Sequence, residues 1–173
     1  MTEIRLLDAD ALEAALPAMV ALLEDSLDDN ASMGFMAPFD GPSVRKFWQQ
    51  TAAGIRSGSH ILFIAEEAGE IVGTVQVGFA QKANQPHRAD LMKLIVLRSA
   101  RGRGIARRLM EAAEAESLRQ GRWLLVLDTA TGSPAEAIYP RLGWNRVGEI
   151  PLYALNPDGS YCGSTYFYKK LVA

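Results

Sequence analysis

The segment "DLMKLIVLRSARGRGIARRLM", Asp90 to Met110, changes character twice along its length. Its apolar first part reads as a strand and its middle is built from arginine and glycine. A helix then follows from Gly104 to Gln120, with Ile105, Leu109, Ala112, Ala113 and Ala115 on its apolar side and Gly121 placed to stop it. A second apolar run, "WLLVLDT" from Trp123, closes the pattern. Strand, turn, helix and strand make a βαβ unit, for which a right-handed crossover is expected. The turn has its own chemistry, because a strand end meeting a helix start presents unpaired N–H groups and about half a positive charge. Gly102 and Gly104 let the backbone approach an anion closely, and Arg101 and Arg103 add charge. Phosphate binds such places. The plainer alternative is a solvated basic turn whose glycines serve geometry alone.

The chain has 173 residues, about half of them apolar, which suits one globular domain spanning residues 1–173. Its net charge is −2, yet Arg98, Arg101, Arg103, Arg107 and Arg108 contribute +5 within one short stretch, leaving −7 for the rest. A nucleic-acid binder would spread its basic charge over a face. One local patch in an acidic chain suits a small anionic ligand, so no nucleic-acid partner is expected. Cys162 is alone and forms no intrachain disulfide. The N-terminal apolar stretch "ALPAMVALL" is short and interrupted by Pro17, which fits neither a secretory signal nor a membrane span. A cytoplasmic protein without a membrane partner is expected.

The flanking elements complete an α/β domain. "IRLL" reads as a short strand, and Asp10 as the N-cap of a helix with apolar residues at Leu12, Leu16, Met19, Val20, Leu23 and Leu27. A long loop, "DDNASMGFMAPFDGP", exposes Met33, Phe35, Met36 and Phe39; Ser43 then caps a second helix. "HILFIAEE" and "IVGTVQVGFAQ" form a hairpin, and a short helix surrounds Ala135 to Leu142. A last hairpin turns at "NPDG"; its exposed-looking "STYFY" strand is a candidate for pairing across a dimer, with a plain core role for its aromatic residues as the alternative, so monomer and homodimer both stay open.

The turn "GRGIAR" lacks the third glycine of the dinucleotide fingerprint and the GK[ST] of the P-loop. It does resemble the acetyl-CoA signature of the GNAT N-acetyltransferases, with Arg101, Gly104 and Ala106 at the three motif positions. The resemblance implies a central mixed, mostly antiparallel sheet of about seven strands flanked by about four helices. It further implies that Leu94, Ile95 and Val96 hold the pantetheine arm and that Gly102, Arg103, Gly104, Ile105, Ala106 and Arg107 hold the phosphates. "AEAIYPRLGW" is similar to the family's last helix, whose tyrosine, here Tyr139, lies near the thioester sulfur. Gly132 stands where many members carry an asparagine, with Ser133 beside it placed among the cofactor contacts. Across most of the chain, "GFM", "QKANQPHRAD", "LDTATGSPAEAIY" and "RVGEIPLYALNPDG" look like the tabtoxin-resistance acetyltransferases, which implies a small, amino-acid-like β-lactam acceptor.

Acetyl transfer to an amine needs the neutral nucleophile. At pH 7 a lysine-like amine of pKa about 10.4 carries a handicap of about 4.6 kcal/mol, and an α-amino group near 7.8 only about 1 kcal/mol. Asp128, at the end of an apolar run, can take the proton, bind the substrate ammonium or serve a helix N-terminus. Tyr139 can donate a hydrogen bond to the departing sulfur or be an ordinary buried tyrosine. Asp90 is a second carboxylate for the acceptor or a solvated strand-edge acid. Met33, Phe35 and Met36 form a substrate lid or pack the two N-terminal helices together. His60 and His87 have no metal-ligand spacing, so no metal is expected. A protein N-terminal acetyltransferase and a non-catalytic CoA-binding sensor are the competing functions.

Overall fold

The computed structural model describes residues 1–172. The chain runs β1 (Glu3–Leu7), α1 (Ala9–Ala14), α2 (Leu16–Asp28), α3 (Gly41–Arg56), β2 (His60–Glu67), β3 (Glu70–Phe79) and β4 (Arg88–Val96). It continues with α4 (Ile105–Arg119), β5 (Leu124–Ala130), α5 (Ile138–Arg141), β6 (Asn145–Leu155) and β7 (Tyr161–Lys170). The strands form one seven-stranded sheet of order β1-β2-β3-β4-β5-β7-β6. Only β4 and β5 are parallel, as the crossover through α4 requires.

Helices cover both faces. On one, α4 lays Ile105, Leu109, Met110 and Ala113 against Val75, Val77, Leu91, Leu125 and Leu127. On the other, α1, α2 and α3 bury Leu12, Met19, Leu23 and Trp48 over Leu62, Ile64 and Ile95. The presence of Ile95 on this second face follows from a bulge. Thr74 pairs with Ile95 but Gln76 with Met92, so β4 carries one residue more than β3 between them. Lys93, in the extra length, has φ +53. One added residue reverses the alternation of side chains, which is why Leu91 and Ile95 face opposite ways.

Several local expectations shift. The first helix is broken between Ala14 and Leu16, and its cap is Asp8, whose carboxylate accepts the Ala11 N–H at 2.8 Å. Asp40 rather than Ser43 caps α3, accepting the Ser43 N–H at 2.8 Å. The break makes five helices where about four were expected. Ala115 is exposed. The "STYFY" strand is interior, because β7 pairs with β5 on one side and β6 on the other; the free edge on that side of the sheet belongs to β6. Pro140 sits in the first turn of α5, where a missing N–H leaves no helical bond unmade.

Gly73 on β3 sets how closely α4 rests on the sheet. A Cβ there would lie 3.0 Å from the Ile95 carbonyl oxygen, 3.2 Å from Leu109 and 3.3 Å from Ile105. Gly73→Val is expected to destabilise the fold by about 1–3 kcal/mol, read as a lowered Tm; an unchanged Tm would show that α4 can lift without cost.

Candidate active site

The parallel strands part early. β4 and β5 pair only through Arg88–Leu124, Ala89–Leu125 and Asp90–Val126. Beyond that point β4 stays on β3 and β5 stays on β7, so a rift opens with Leu94, Ile95 and Val96 along one wall and Leu127 to Ala130 along the other. The backbone groups of β4 that face the rift have no ladder partner among the described residues. An extended, amide-bearing ligand would satisfy them as an added strand does.

The Gly/Arg turn stands at the mouth of this rift. Gly102 and Gly104 have φ of +78° and +77°, and open space lies where each Cβ would be. No side chain caps the start of α4. The first amides of the helix are therefore available to an anion. Arg98, Arg101 and Arg103 all have carboxylate partners. Arg98 meets Asp25 at 2.9 Å, Arg101 meets Asp29 at 2.6 Å and Arg103 meets Glu67 at 3.0 Å. Burial tends to push the Asp25 carboxyl up, but the N–H and guanidinium of Arg98 outweigh it and hold Asp25 below its ordinary range. Arg107 and Arg108 are exposed and have no ion pair among the described residues.

Asp128 projects from β5 on the face opposite Leu127 and accepts a hydrogen bond from the Ser164 hydroxyl of β7 at 2.6 Å. Asp90, on β4, is bound to Arg88. On β7, the Tyr166 hydroxyl donates to that of Tyr153 at 2.7 Å; this bond, burial and the charges of Asp128 and Asp90 push the Tyr166 phenol up to about 12. Lys93 is half-buried: its ammonium donates to the Met33 carbonyl at 2.8 Å and lies 5.1 Å from the centre of the Phe47 ring. Burial pushes the Lys93 amine down, and the charge of Asp128 partly restores it.

The long loop after α2 closes over this side. Asn30 bonds both the Asp158 carboxylate, at 3.1 Å, and the Asp158 N–H, at 3.3 Å; Ser32 donates to the Leu155 carbonyl at 3.3 Å. The Ala37 N–H reaches the Pro157 carbonyl at 3.0 Å. Met33 and Phe35 are half-buried against the α1–α3 core, and Phe35 meets Phe47 edge to face at 6.0 Å. The same residues thus pack the helices together and anchor a loop clasped onto the β6–β7 turn.

Tyr139 lies on the α4 side of the sheet, 5% exposed, against Trp144 and Phe167. Burial pushes its phenol up to about 12; the Thr129 hydroxyl opposes the rise and the Asp128 charge adds to it. Ser133 faces the Thr129 hydroxyl at 3.4 Å and accepts the Glu136 N–H at 3.4 Å, so it shapes the loop before α5.

The rift therefore brings together Leu94, Ile95, Val96, Asp90, Asp128 and Tyr139, with the Gly/Arg turn at its mouth. Sequence reasoning missed Lys93, Ser164 and Tyr166. Lys93 had a signal, as the only charge inside "LMKLIVL", whereas Ser164 and Tyr166 gain their partners only through the order of β5, β7 and β6. The histidines stand apart: His87 stacks on Trp123 at 4.6 Å, and His60 bonds Ser59 at 2.9 Å beneath Gly54.

A sheet parted between two parallel strands, with an uncapped helix start at the mouth of the parting, is the architecture of an acetyltransferase family that this chain matches. The chain belongs to the GNAT acetyltransferase family, whose acetyltransferase (GNAT) domain matches residues 58–146. It is 27% identical over 144 residues to the L-methionine sulfoximine/L-methionine sulfone acetyltransferase of Pseudomonas aeruginosa, covering 82% of this chain and 81% of that protein. Its fold matches an N-acetyltransferase from Staphylococcus aureus Mu50 with TM-score 0.82, 20% identity and 99% of both chains covered. It also matches yncA of Salmonella typhimurium, solved with its cofactor acetyl-CoA, with TM-score 0.80 and 16% identity over 100% of this chain and 95% of that one.

The open cradle makes a direct prediction. Inorganic pyrophosphate is expected to raise the Tm of the wild-type protein, and Gly104→Ala to reduce that rise, because alanine is strained at φ +77. Equal rises in both proteins, read by thermal shift, would place the anion elsewhere.

Proposed function

We propose that the protein transfers the acetyl group of acetyl-CoA to the amine of a small, amino-acid-like acceptor. The observation that supports the acceptor class is the 29–40 loop, tied to the β6–β7 turn at Leu155, Pro157 and Asp158 and to Lys93 of β4 through the Met33 carbonyl, so that it covers the α1–α3 side of the rift; a small acceptor suits a site covered in this way. The activity named for the Pseudomonas relative points the same way, and β-lactam amino acids such as tabtoxinine-β-lactam fall within the class.

The residues fit acetyl-CoA by three features: the unpaired β4 edge for the pantetheine amides, the two left-handed glycines and the uncapped α4 start for the pyrophosphate. Bound there, acetyl-CoA supplies the activated acetyl group. Arg101 and Arg103 form exposed ion pairs, which are worth at most about 1 kcal/mol, so their guanidinium groups can leave Asp29 and Glu67 for phosphate at little cost.

Asp128 is the group that receives the amine proton, directly or through water, held in place by Ser164. Tyr139 keeps its proton. With its phenol near 12, full transfer to a thiolate of pKa about 8.5 would be uphill by roughly 5 kcal/mol. Tyr139 therefore acts as a hydrogen-bond donor to the departing sulfur.

A thiol-release assay tests the reading, with L-methionine sulfone, L-methionine sulfoximine, tabtoxinine-β-lactam, polyamines, aminoglycosides and short peptides as acceptors. Turnover of the amino acids is expected; turnover of peptides alone would replace the acceptor class. Asp128→Asn is expected to lower kcat by roughly 100- to 10,000-fold with little change in acetyl-CoA affinity. Tyr139→Phe is expected to lower kcat while leaving the shape of the pH–rate profile unchanged below pH 10, since a phenol near 12 does not titrate there. An alkaline limb lost in that variant would show Tyr139 exchanging its proton during turnover.

A further inference from the structure

Lys93 is a half-buried positive charge beside the rift that has no carboxylate in ion-pair contact among the described residues, unlike the exposed and equally unpaired Arg107 and Arg108 of α4. Around the same site Arg88 is bound to Asp90, Arg98 to Asp25, Arg101 to Asp29 and Arg103 to Glu67. Lys93 forms no ion pair among the described residues; its ammonium has one recorded hydrogen bond, to the Met33 carbonyl at 2.8 Å, and the face of Phe47 at 5.1 Å. An ammonium has three N–H donors, so the Met33 contact leaves two for a ligand. A half-buried cation whose direct contacts are a carbonyl and an aromatic ring, with the Asp128 charge acting only from a distance, gains from an anion that joins it.

Its position gives the ligand. The bulge sets Lys93 at φ +53 just where β4 leaves β5, three residues after the last pair of the two strands. Met33, on the clasped loop, and Phe47, on α3, place the ammonium on the α1–α3 side of the sheet. Asp128 stands on that side too, opposite Leu127 and beside Ser164, and its charge acts on Lys93. The remaining titratable groups that face the site are Asp90, already bound to Arg88, and the hydrogen-bonded pair Tyr153 and Tyr166. The site thus offers one ammonium with no ion-pair contact among the described residues and one carboxylate held by a neutral hydroxyl. That is the complement of a zwitterion.

We infer that Lys93 is the specificity-determining residue that binds the carboxylate of the amino-acid acceptor, while Asp128 faces its amine. This rests on the acceptor class proposed above and narrows it: the acceptor carries a free carboxylate close to its amine. The tie between Lys93 and the Met33 carbonyl also links the occupied site to the loop that covers it.

The test compares L-methionine sulfone with its methyl ester, which removes the negative charge and keeps the amine. For the wild-type enzyme, kcat/KM is expected to favour the acid. In Lys93→Met the acid is expected to lose roughly 10- to 100-fold, chiefly through KM, as for a lost charged hydrogen bond, with the ester and acetyl-CoA affinity nearly unchanged. Lys93→Arg is expected to recover part of the preference, and Lys93→Gln, a second neutral replacement, to repeat the loss. Asn30→Ala, which loosens the loop at Asp158 without touching Lys93, is expected to affect acid and ester alike. The inference is overturned if the wild type does not discriminate, if the neutral variants keep the preference, or if they lower both acceptors equally. A wild type active on peptides and silent on both methionine sulfone compounds would instead overturn the acceptor class, and this inference with it.

Discussion

The early parting of β4 from β5 is the constraint on which the rest of the molecule depends. Each strand keeps a full partner on its far side, β4 with β3 and β5 with β7 along seven residues, so the parting gives up ladder bonds along one seam only. Two features hold it open. The bulge at Lys93 turns the outer half of β4, and the cluster of Tyr139, Trp144 and Phe167 occupies the α4 side around β5. A closed β4–β5 pair would satisfy more backbone and leave nowhere for an extended ligand. The proposed cofactor completes the ladder that the fold leaves unfinished, so binding energy comes from groups the fold has already arranged.

Charge is organised around the same opening in two different ways. The arginine-rich turn is neutralised by acids from outside it, Asp25 and Asp29 at the end of α2 and Glu67 at the end of β2. These pairs are exposed and exchangeable, so they tie α2 to the turn without locking the guanidinium groups away. Lys93 is half-buried against a carbonyl, an aromatic ring and a loop, with no acid in ion-pair contact to exchange among the described residues. The exchangeable arginines suit a ligand whose charge arrives at the protein surface, and the enclosed lysine suits one whose charge enters the interior.

How much was legible in the sequence follows from the range of the interactions. The βαβ unit around Asp90 to Met110 was legible because a strand, a glycine turn and an amphipathic helix are each set by neighbours in the chain. Asp128 and Tyr139 stood out for different reasons, Asp128 because it ends an apolar run and Tyr139 because "AEAIYPRLGW" resembles the last helix of the family. The first cap shifted from Asp10 to Asp8 because either aspartate can precede the same apolar pattern, and the choice lies with a break at Ala15 that packing decides. The interior place of β7 was not legible, since nothing in "STYFY" says which strands flank it and only the insertion of β7 between β5 and β6 buries Thr165 and Phe167. The bulge was hidden for the same reason. "LMKLIVL" shows no break, and the extra residue exists only relative to β3.

The alternation along β5 also separates the two halves of the proposed reaction. Asp128 is exposed on one face of the strand, while Leu127 is buried on the other beside Tyr139. Consecutive residues of a strand point to opposite sides, so a carboxylate and a phenol placed this way flank the rift rather than meet across it. Ser164, also on the Asp128 side, fixes the carboxylate, and the α4-side core fixes the phenol. The acceptor nitrogen and the thioester sulfur must both reach one carbonyl carbon, so the transfer proposed above takes place within the rift, with the carboxylate approaching from one side of the sheet and the phenol from the other. The pleat of β5 thereby gives the proton acceptor and the hydrogen-bond donor different directions of approach to that one carbon.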